Sequence, residues 1–572
     1  MSQDADVDGR FEADAAVEWV DNGDEVAFTL TEELAAACDS YICTVHGSMR
    51  GQLETTDADD GPSSEIEDWN DLDAIRENLD GDYVLVNDLD EETAGYDEHV
   101  GDPEDGFEPL GSGDDPFTGT FDGQENDIDG LVIDRPVESG VGLFGAMSEE
   151  AELTDVGVIN VDVTGNEIVG GLVGENGGTI EGCYTTGELI GTDGGRSFGG
   201  LVGDNFQGRI ENSHSAADVT AEAGTRVGGL VGNNLFDGEI SSSHATGTVA
   251  GETAVGGLVG LSEDAEISSS HATGTVSGES RRVGGLVGVQ FQDEITMSYA
   301  TGDVAAAGAN EVGGLVGENI GTISESFATG SVGGSNTVGG LVGEHSFGEV
   351  TMCFADTAVE AADENAEIGG FVGNLNAGET ISQSYALGSV EAEDARSLGG
   401  FAGESNGDIT ECYAAVEVSG SGTEVGGFIA ELEGSLPEGS YWDTEVSGQS
   451  ESPAAIGLST DEMQGNDAAE NMAALDFDET WDVVTDPDDY PILQFQDEPD
   501  PTPAPDLPEE WTERGLSDEQ FEAVTDADGE LGREEMRNAF EAYFEPPAQE
   551  IDGVAVSRDD MRNIFQFYFD TV

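Results

Sequence analysis

Val-Gly-Gly-Leu-Val-Gly, residues 169–174, returns along the chain at 227–232, 255–260, 283–288, 312–317 and 338–343. Looser copies flank it: V-G-L-F-G at 141–145, F-G-G-L-V-G at 198–203, I-G-G-F-V-G at 368–373, L-G-G-F-A-G at 398–403 and V-G-G-F-I-A at 425–430. The apolar residue after the glycines falls at 143, 172, 201, 230, 258, 286, 315, 341, 371, 401 and 428, in steps of 26 to 30 residues. A period that steady over eleven units is the signature of stacked repeats.

Each unit carries three short apolar segments. The first is the glycine stretch with its flanks. The second is I-S-E-S-F-A at 323–328, with relatives starting at Ile180, Ile210, Ile240, Ile267, Ile295, Val350, Ile381 and Ile409. The third is centred on Val332, after a turn at Gly330. Short strands between Gly or Asn corners predict a mainly β fold, a right-handed parallel β-helix with three faces per coil. The Gly-Gly pair allows the backbone to bend without a Cβ clash. Leu then starts a strand and points inward, so like residues stack in ladders down the axis. Eleven coils at ~4.8 Å make a rod of roughly 50 Å. A β-propeller blade would need four strands and ~40–45 residues, more than this period supplies.

The charge is extreme. The 572 residues hold 124 Asp and Glu against 15 basic residues, all of them Arg, for a net charge of −109. Self-repulsion at that charge is severe in dilute buffer, and the composition resembles that of salt-adapted archaeal proteins. An acidic disordered chain is the competing reading, opposed by the long apolar periodicity. Nucleic acid and anionic membrane surfaces are disfavoured as partners, because phosphates would be repelled. No stretch approaches the ~20 apolar residues of a membrane span. Residues 1–10 show no basic or apolar export signal, so the sequence leaves a cytoplasmic location open. Cys183, Cys353 and Cys412 share one repeat slot that is otherwise Ser, and read as small buried residues too far apart to bridge. Cys38 and Cys43 are left as either a pair or free thiols.

Residues 1–63 carry no readable role. Residues 64–135 read as a cap that closes the leading end of the repeats, since an open coil end is an unpaired strand edge. Trp69, Leu72, Ile75 and Leu79 predict a short amphipathic helix with Asp68 as N-cap. Strands follow at 83–89, 117–122 and 131–134. The repeats run over 136–443. Residues 444–496 read as the exit cap, with a capping box at Ser459 and Glu462 and last strands at 481–484 and 492–495. Residues 497–509 form a proline-rich acidic linker.

The G-G-L-V-G core, followed by I-x-x-S/C-Y/H/F-A-T-G-x-V, resembles the GLUG-motif repeats. The resemblance runs over 64–496, including Phe117-Thr-Gly-Thr-Phe-Asp-Gly123, Tyr441-Trp442-Asp443, Trp481 and Tyr490-Pro491. It implies a β-solenoid from a large secreted or surface protein. Streptococcal IgA-specific metalloproteases and adhesin-like proteins carry such repeats. The motif specifies architecture and not activity. No H-E-x-x-H is present, so the protease activity of some relatives is not expected here.

Residues 510–572 change character. Residues 530–544 match 555–569 at seven of fifteen positions. Met561, Ile564, Phe565, Tyr568 and Phe569 give the second copy the apolar face of a helix. Each copy follows an acidic glycine loop, and the pair resembles a dockerin module. That resemblance implies calcium and a cohesin-like partner. In an EF-hand-type loop with Gly529 at position 6, Asp526, Asp528 and Glu535 take positions 3, 5 and 12. Position 1 is then Val524, which cannot ligate. The second loop offers Glu550 and Asp552 but places Ala548 at position 1. The alternative is a two-helix hairpin that is acidic only because the whole chain is.

One slot of nine consecutive coils is aromatic: Tyr184, His214, His244, His271, Tyr299, Phe327, Phe354, Tyr385 and Tyr413. These residues form a ladder that packs coil on coil, or a platform on which sugars stack. No nucleophile motif, phosphate loop or C-x-x-C appears. The expectation is therefore no enzyme, but a structural or adhesive rod at a cell surface that displays or binds protein or glycan partners. The rival is a polysaccharide-active β-helix with a dockerin-like docking tail. It would show a cleft and an Arg facing two carboxylates. The arginines at hand, Arg196, Arg209, Arg226, Arg281, Arg282 and Arg396, are scattered over several coils.

Overall fold

A computed structural model describes residues 64–101, 105–361, 363, 365–483 and 489–496. Outside them it describes three short antiparallel strand pairs: Val20–Asp21 with Val26–Ala27, Ser40–Ile42 with Arg50–Gln52, and Glu550–Ile551 with Val554–Ala555. The proline-rich linker, the expected helix face at 561–569 and the cysteines at 38 and 43 fall outside the described residues.

The chain winds into a parallel β-solenoid. One coil holds Val231–Leu235, Glu239–Ser241, His244–Ala245 and Val249–Gly256, and each strand pairs in parallel with its counterpart one repeat later. The same register runs from Val141 through Val169, Phe198, Val227, Val255, Val283, Val312, Val338, Ile368 and Leu398 to Val425. A second ladder runs from Tyr83 through Phe121, Leu153, Ile180 and Ile210 to Ile409. Both ladders are buried except at the last rung of the first, Val425, which is partly buried.

The parallel pairing extends beyond the repeats at both ends. Ser64–Ile66 pairs with Tyr83–Leu85, and Asp82–Val84 with Thr120–Asp122. At the far end Tyr441–Asp443 continues the stack onto Ile456–Leu458. The predicted helix forms as Trp69–Ala74, with the Asp68 carboxylate accepting from the Asn70 and Asp71 amides. The capping box of Ser459 and Glu462 starts the helix Thr460–Met463. The last strands pair antiparallel as Trp481–Asp482 with Ile492–Leu493.

The glycine corner differs from its expected form in one respect. The strand begins at Val173, not at Leu172, which sits in the bend between Gly170 and Val173 with its side chain fully buried. Leu172 donates its amide to the Leu201 carbonyl of the next coil at 3.0 Å, and that link repeats from coil to coil. Neither Gly170 nor Gly171 takes a positive φ. They are glycine because neighbouring backbone is too near: a Cβ on Gly170 would lie 2.1 Å from the Val173 carbonyl oxygen, and one on Gly171 2.7 Å from that of Gly200.

A second corner divides the I-S-E-S-F-A segment. Glu325 takes φ 48° and separates the strand ending at Ser324 from the one starting at Phe327. Asp155, Asn212, Ser242, Ser269, Met297, Met352, Gln383 and Glu411 hold the same left-handed corner in other coils, and only Gly182 fills it with glycine.

Candidate functional site

The corner residue after that left-handed position is the shared Ser or Cys slot. Ser298 Oγ donates to the Thr296 carbonyl at 2.8 Å and accepts the Ser270 amide of the neighbouring coil at 3.1 Å. Ser213, Ser243, Ser326 and Ser384 repeat the arrangement. Cys183, Cys353 and Cys412 fill the slot as buried free thiols. Burial pushes the Cys183 and Cys353 thiols up to about 12, so neither is a nucleophile at neutral pH.

The nine aromatic residues do form one ladder. Neighbouring ring centroids lie 4.6 to 5.0 Å apart and the planes are within 7° of parallel. Along the ladder, both faces of each inner ring are covered by the rings of the coils above and below. Only ring edges reach solvent, whereas a sugar stacks on an aromatic face. The exit cap also closes the last rungs. Tyr413 is fully buried, packs 5.5 Å from Trp481 and donates its hydroxyl to the Pro491 carbonyl at 2.6 Å. Tyr385 donates to Gln496 Oε1 at 3.0 Å. Tyr184, His214, His244, His271, Tyr299 and Phe327 are half-buried. At the leading end Tyr184 donates to Asp127 at 2.5 Å. The stacking that makes the ladder regular thus takes up the faces of its inner rings.

Free aromatic faces occur elsewhere. Phe206, Phe236 and Phe347 are 42%, 42% and 60% exposed. Register places Phe206, Leu235, Glu263, Phe291, Ile320 and Phe347 in one row along a corner of six coils. Phe206 and Phe236 meet edge to face at 5.3 Å, which leaves ring surface open. Beside this row runs another of exposed carboxylates, Glu239, Glu266 and Glu294. Sequence reasoning missed the phenylalanine row. Its phenylalanines sit in different local words, N-F-Q-G, Q-F-Q-D and H-S-F-G, and only the register aligns them, while Phe236, in L-F-D-G, lies one residue past Leu235 and joins the row through its contact with Phe206.

A buried polar ladder was also missed. Asn176, Asn205, Asn234, Ser262, Gln290, Asn319 and His345 follow one another in register and all are fully buried. Asn176 Nδ2 donates to Asn205 Oδ1 at 2.8 Å, and Asn205 Nδ2 to Asn234 Oδ1 at 2.7 Å. Asn319 Nδ2 lies 3.0 Å from His345 Nδ1. Burial holds the His345 imidazole down to about 4.

Far apart in sequence, Arg282 and Arg396 both reach one outward column. Glu318, Glu344, Asn374, Glu404 and Glu431 are aligned there. Arg282 pairs with Glu318 at 2.6 Å and with Glu311 at 3.4 Å. Arg396 contacts Glu404 at 2.9 Å, Glu431 at 2.8 Å and Glu367. Burial raises the pKa of Glu367 and of Glu318, each against the pull of its arginine. The oxygens of Glu367 are taken by Arg396 and Asn374, and those of Glu404 by Arg396 and Asn406. This is a clamp between coils.

Among the described residues no three His, Cys, Asp or Glu side chains gather as a metal-holding group, and no helix is long and apolar enough to cross a membrane. The side chains of the calcium candidates Asp526, Asp528, Glu535, Glu550 and Asp552 lie outside the described residues; the backbone of Glu550 falls in the short strand Glu550–Ile551.

The geometry defines a parallel β-solenoid with an acidic, regularly laddered surface. Three of its stretches, 223–250, 251–277 and 279–305, match the GLUG motif. Over 115 residues, 20% of this chain, it is 36% identical to Halomucin of Haloquadratum walsbyi, and the match spans 1% of that protein. A crystal structure from Bacteroides ovatus, provisionally named an immunoglobulin A1 protease, is 24% identical. It covers 43% of this chain and 76% of its own, at a TM-score of 0.35. That score is too low to bear on activity.

Proposed function

We propose that the protein is a salt-adapted adhesive rod that works outside the cell or at its surface, and that its contact surface is the phenylalanine row. The observation that carries this reading is the contrast between the two aromatic sets. The stacked ladder offers edges, while Phe206, Phe236 and Phe347 offer faces on one corner. The neighbouring carboxylates and the exposed Gln207 and Gln292 are hydrogen-bond acceptors suited to sugar hydroxyls. A net charge of −109 repels anionic polymers and favours a neutral glycan. The GLUG stretches and the partial likeness to Halomucin support a surface location. A glycan array read in molar salt tests the proposal. Binding of a neutral polysaccharide that weakens at least ~10-fold in Phe206→Ala/Phe236→Ala/Phe347→Ala supports it. Undiminished binding by that triple variant sinks it.

The second reading is a polysaccharide-cleaving enzyme, favoured by Arg396 among three glutamates. Release of reducing sugar from any glycan, abolished in Glu404→Gln, would establish it. The engaged oxygens of Glu367 and Glu404 argue for a clamp instead.

A further inference from the structure

The exit cap runs back along the aromatic ladder, rung by rung. The Tyr441 hydroxyl accepts the Ala474 amide at 3.1 Å, the Tyr413 hydroxyl donates to the Pro491 carbonyl at 2.6 Å, and the Tyr385 hydroxyl donates to Gln496 Oε1 at 3.0 Å. Later residues of the cap thus meet earlier rungs. The cover thins in the same direction. Tyr413, Tyr385 and Phe354 are 0%, 2% and 9% exposed, and the rungs from Phe327 back to Tyr184 are half-buried. The last described residue of the cap, Gln496, stands on the Tyr385 rung, and Phe354 is the next rung on its course.

The sequence that follows suits that course. Residues 497–509 read D-E-P-D-P-T-P-A-P-D-L-P-E. Proline fixes its own φ and biases the residue before it toward an extended conformation, so the alternation of Pro499, Pro501, Pro503 and Pro505 favours a straight run. At ~3.1 Å per residue, residues 497–509 reach roughly 40 Å. From Tyr385 to Tyr184 the ladder has seven steps of 4.6 to 5.0 Å, about 34 Å in all. Reach and direction match.

We propose that the ladder is the docking surface of this linker: residues 497–509 continue the cap as a strap over the ring edges from Phe354 toward Tyr184. Three observations favour this occupant. The surface is continuous with one the same chain already covers, up to Gln496. Its chemistry is complementary. Prolines bring carbonyl acceptors and no N–H to satisfy, while phenol and imidazole edges donate, as Tyr413 does to Pro491. Extended proline-rich chains dock on aromatic-lined surfaces for these reasons. Charge agrees as well. Along the His244, His271 and Tyr299 rungs the ring row is flanked by Ser241, Ser268 and Thr296 on one side and by Thr246, Thr273 and Thr301 on the other. An acidic segment, with Asp500 and Asp506, meets no carboxylate in those rows. The strap would extend the closure made by Trp481 and Pro491 over the length of the ladder.

The test uses the full chain in molar salt, with photoreactive p-benzoylphenylalanine in place of Ala504. At ~3.1 Å per residue that position lies roughly 25 Å beyond Gln496, about five rungs past Tyr385 and beside His244. Irradiation should give cross-links within one chain to the strands that begin at His214, His244 and His271, read by mass spectrometry. Adding Pro499→Gly, Pro501→Gly, Pro503→Gly and Pro505→Gly should lower their yield at least ~5-fold, because a glycine-containing tether is a flexible coil. All these substitutions lie outside the coils, so the solenoid is left intact. Cross-links to residues 1–63, to another face or to a second copy of the chain overturn the proposal. So does the absence of cross-links, or a yield unchanged by the glycines, which would show tethered proximity alone.

Discussion

At the residue scale the coil rests on positions that sequence alone does not flag. The left-handed corner holds Met297 at φ 47° and Glu325 at φ 48°, residues with no preference for that region. Each should cost about 1 kcal/mol relative to glycine. Met297→Gly, at an exposed site, is therefore expected to raise the unfolding free energy by about 1 kcal/mol in a chemical denaturation series, despite removing a side chain. The next residue behaves oppositely. Ser298→Ala strands the buried Ser270 amide and should cost about 1–3 kcal/mol, whereas Ser298→Cys should cost less, as Cys353 already fills the same slot. His345 gives a pH signature. Its ordinary value of 6.5 falls to about 4 in the folded chain, so the unfolded chain takes the proton first. Stability from this group is complete above pH 6.5, falls as the pH drops and is exhausted near pH 4, a loss of about 3 kcal/mol. Comparing denaturant midpoints of wild type and His345→Asn across that range isolates the effect; parallel curves would refute it.

At the element scale, what was legible was whatever repeats with apolar residues. The Val, Leu and Ile ladders follow from spacing alone, as do the aromatic slot and the caps at Asp68 and Ser459. Two kinds of feature were hidden. Corners made by Met, Ser, Glu or Gln carry no glycine or proline to mark them, so the second segment reads as one strand when it is two. Buried asparagines beside glycine read as turns, because a lone Asn is a turn former and only its stacked neighbours turn it into core. For the aromatic slot the sequence predicted a ladder but left open whether it packs coil on coil or serves as a platform for sugars, since spacing shows that the rings recur and not how closely they lie. The exit cap illustrates the consequence. Tyr413 joins the last ladder rung to Pro491, and Trp481 covers it. Tyr413→Phe should cost about 1 kcal/mol through one buried hydrogen bond. Trp481→Ala should cost 3–5 kcal/mol by opening a cavity over Tyr385 and Tyr413, roughly in line with other large core truncations. Loss of hydrogen-exchange protection confined to 385–496 would show that the cap closes the rod locally.

At the scale of the whole molecule, in-register stacking turns composition into a structural problem. A parallel solenoid sets equivalent residues one coil apart, so Glu239, Glu266 and Glu294 lie one above another at the pitch measured by the rings, 4.6 to 5.0 Å. Two unit charges at that distance repel by about 1 kcal/mol in water before screening. The chain holds 124 carboxylates and 15 arginines, so most such contacts have no cation to break them. Among the described residues some arginines serve as clamps, such as Arg396, which ties Glu367, Glu404 and Glu431 together across coils. Salt supplies what the sequence does not. The screening length is about 10 Å at 0.1 M and about 3 Å at 1 M, so it passes through the coil pitch between those concentrations. The β signal in far-ultraviolet circular dichroism is therefore expected to persist in molar salt, to weaken on dialysis below about 0.1 M, and to return when salt is restored. A spectrum unchanged at low ionic strength would show that the ladders outweigh the repulsion unaided, and would remove salt adaptation from the proposed function while leaving the solenoid itself untouched.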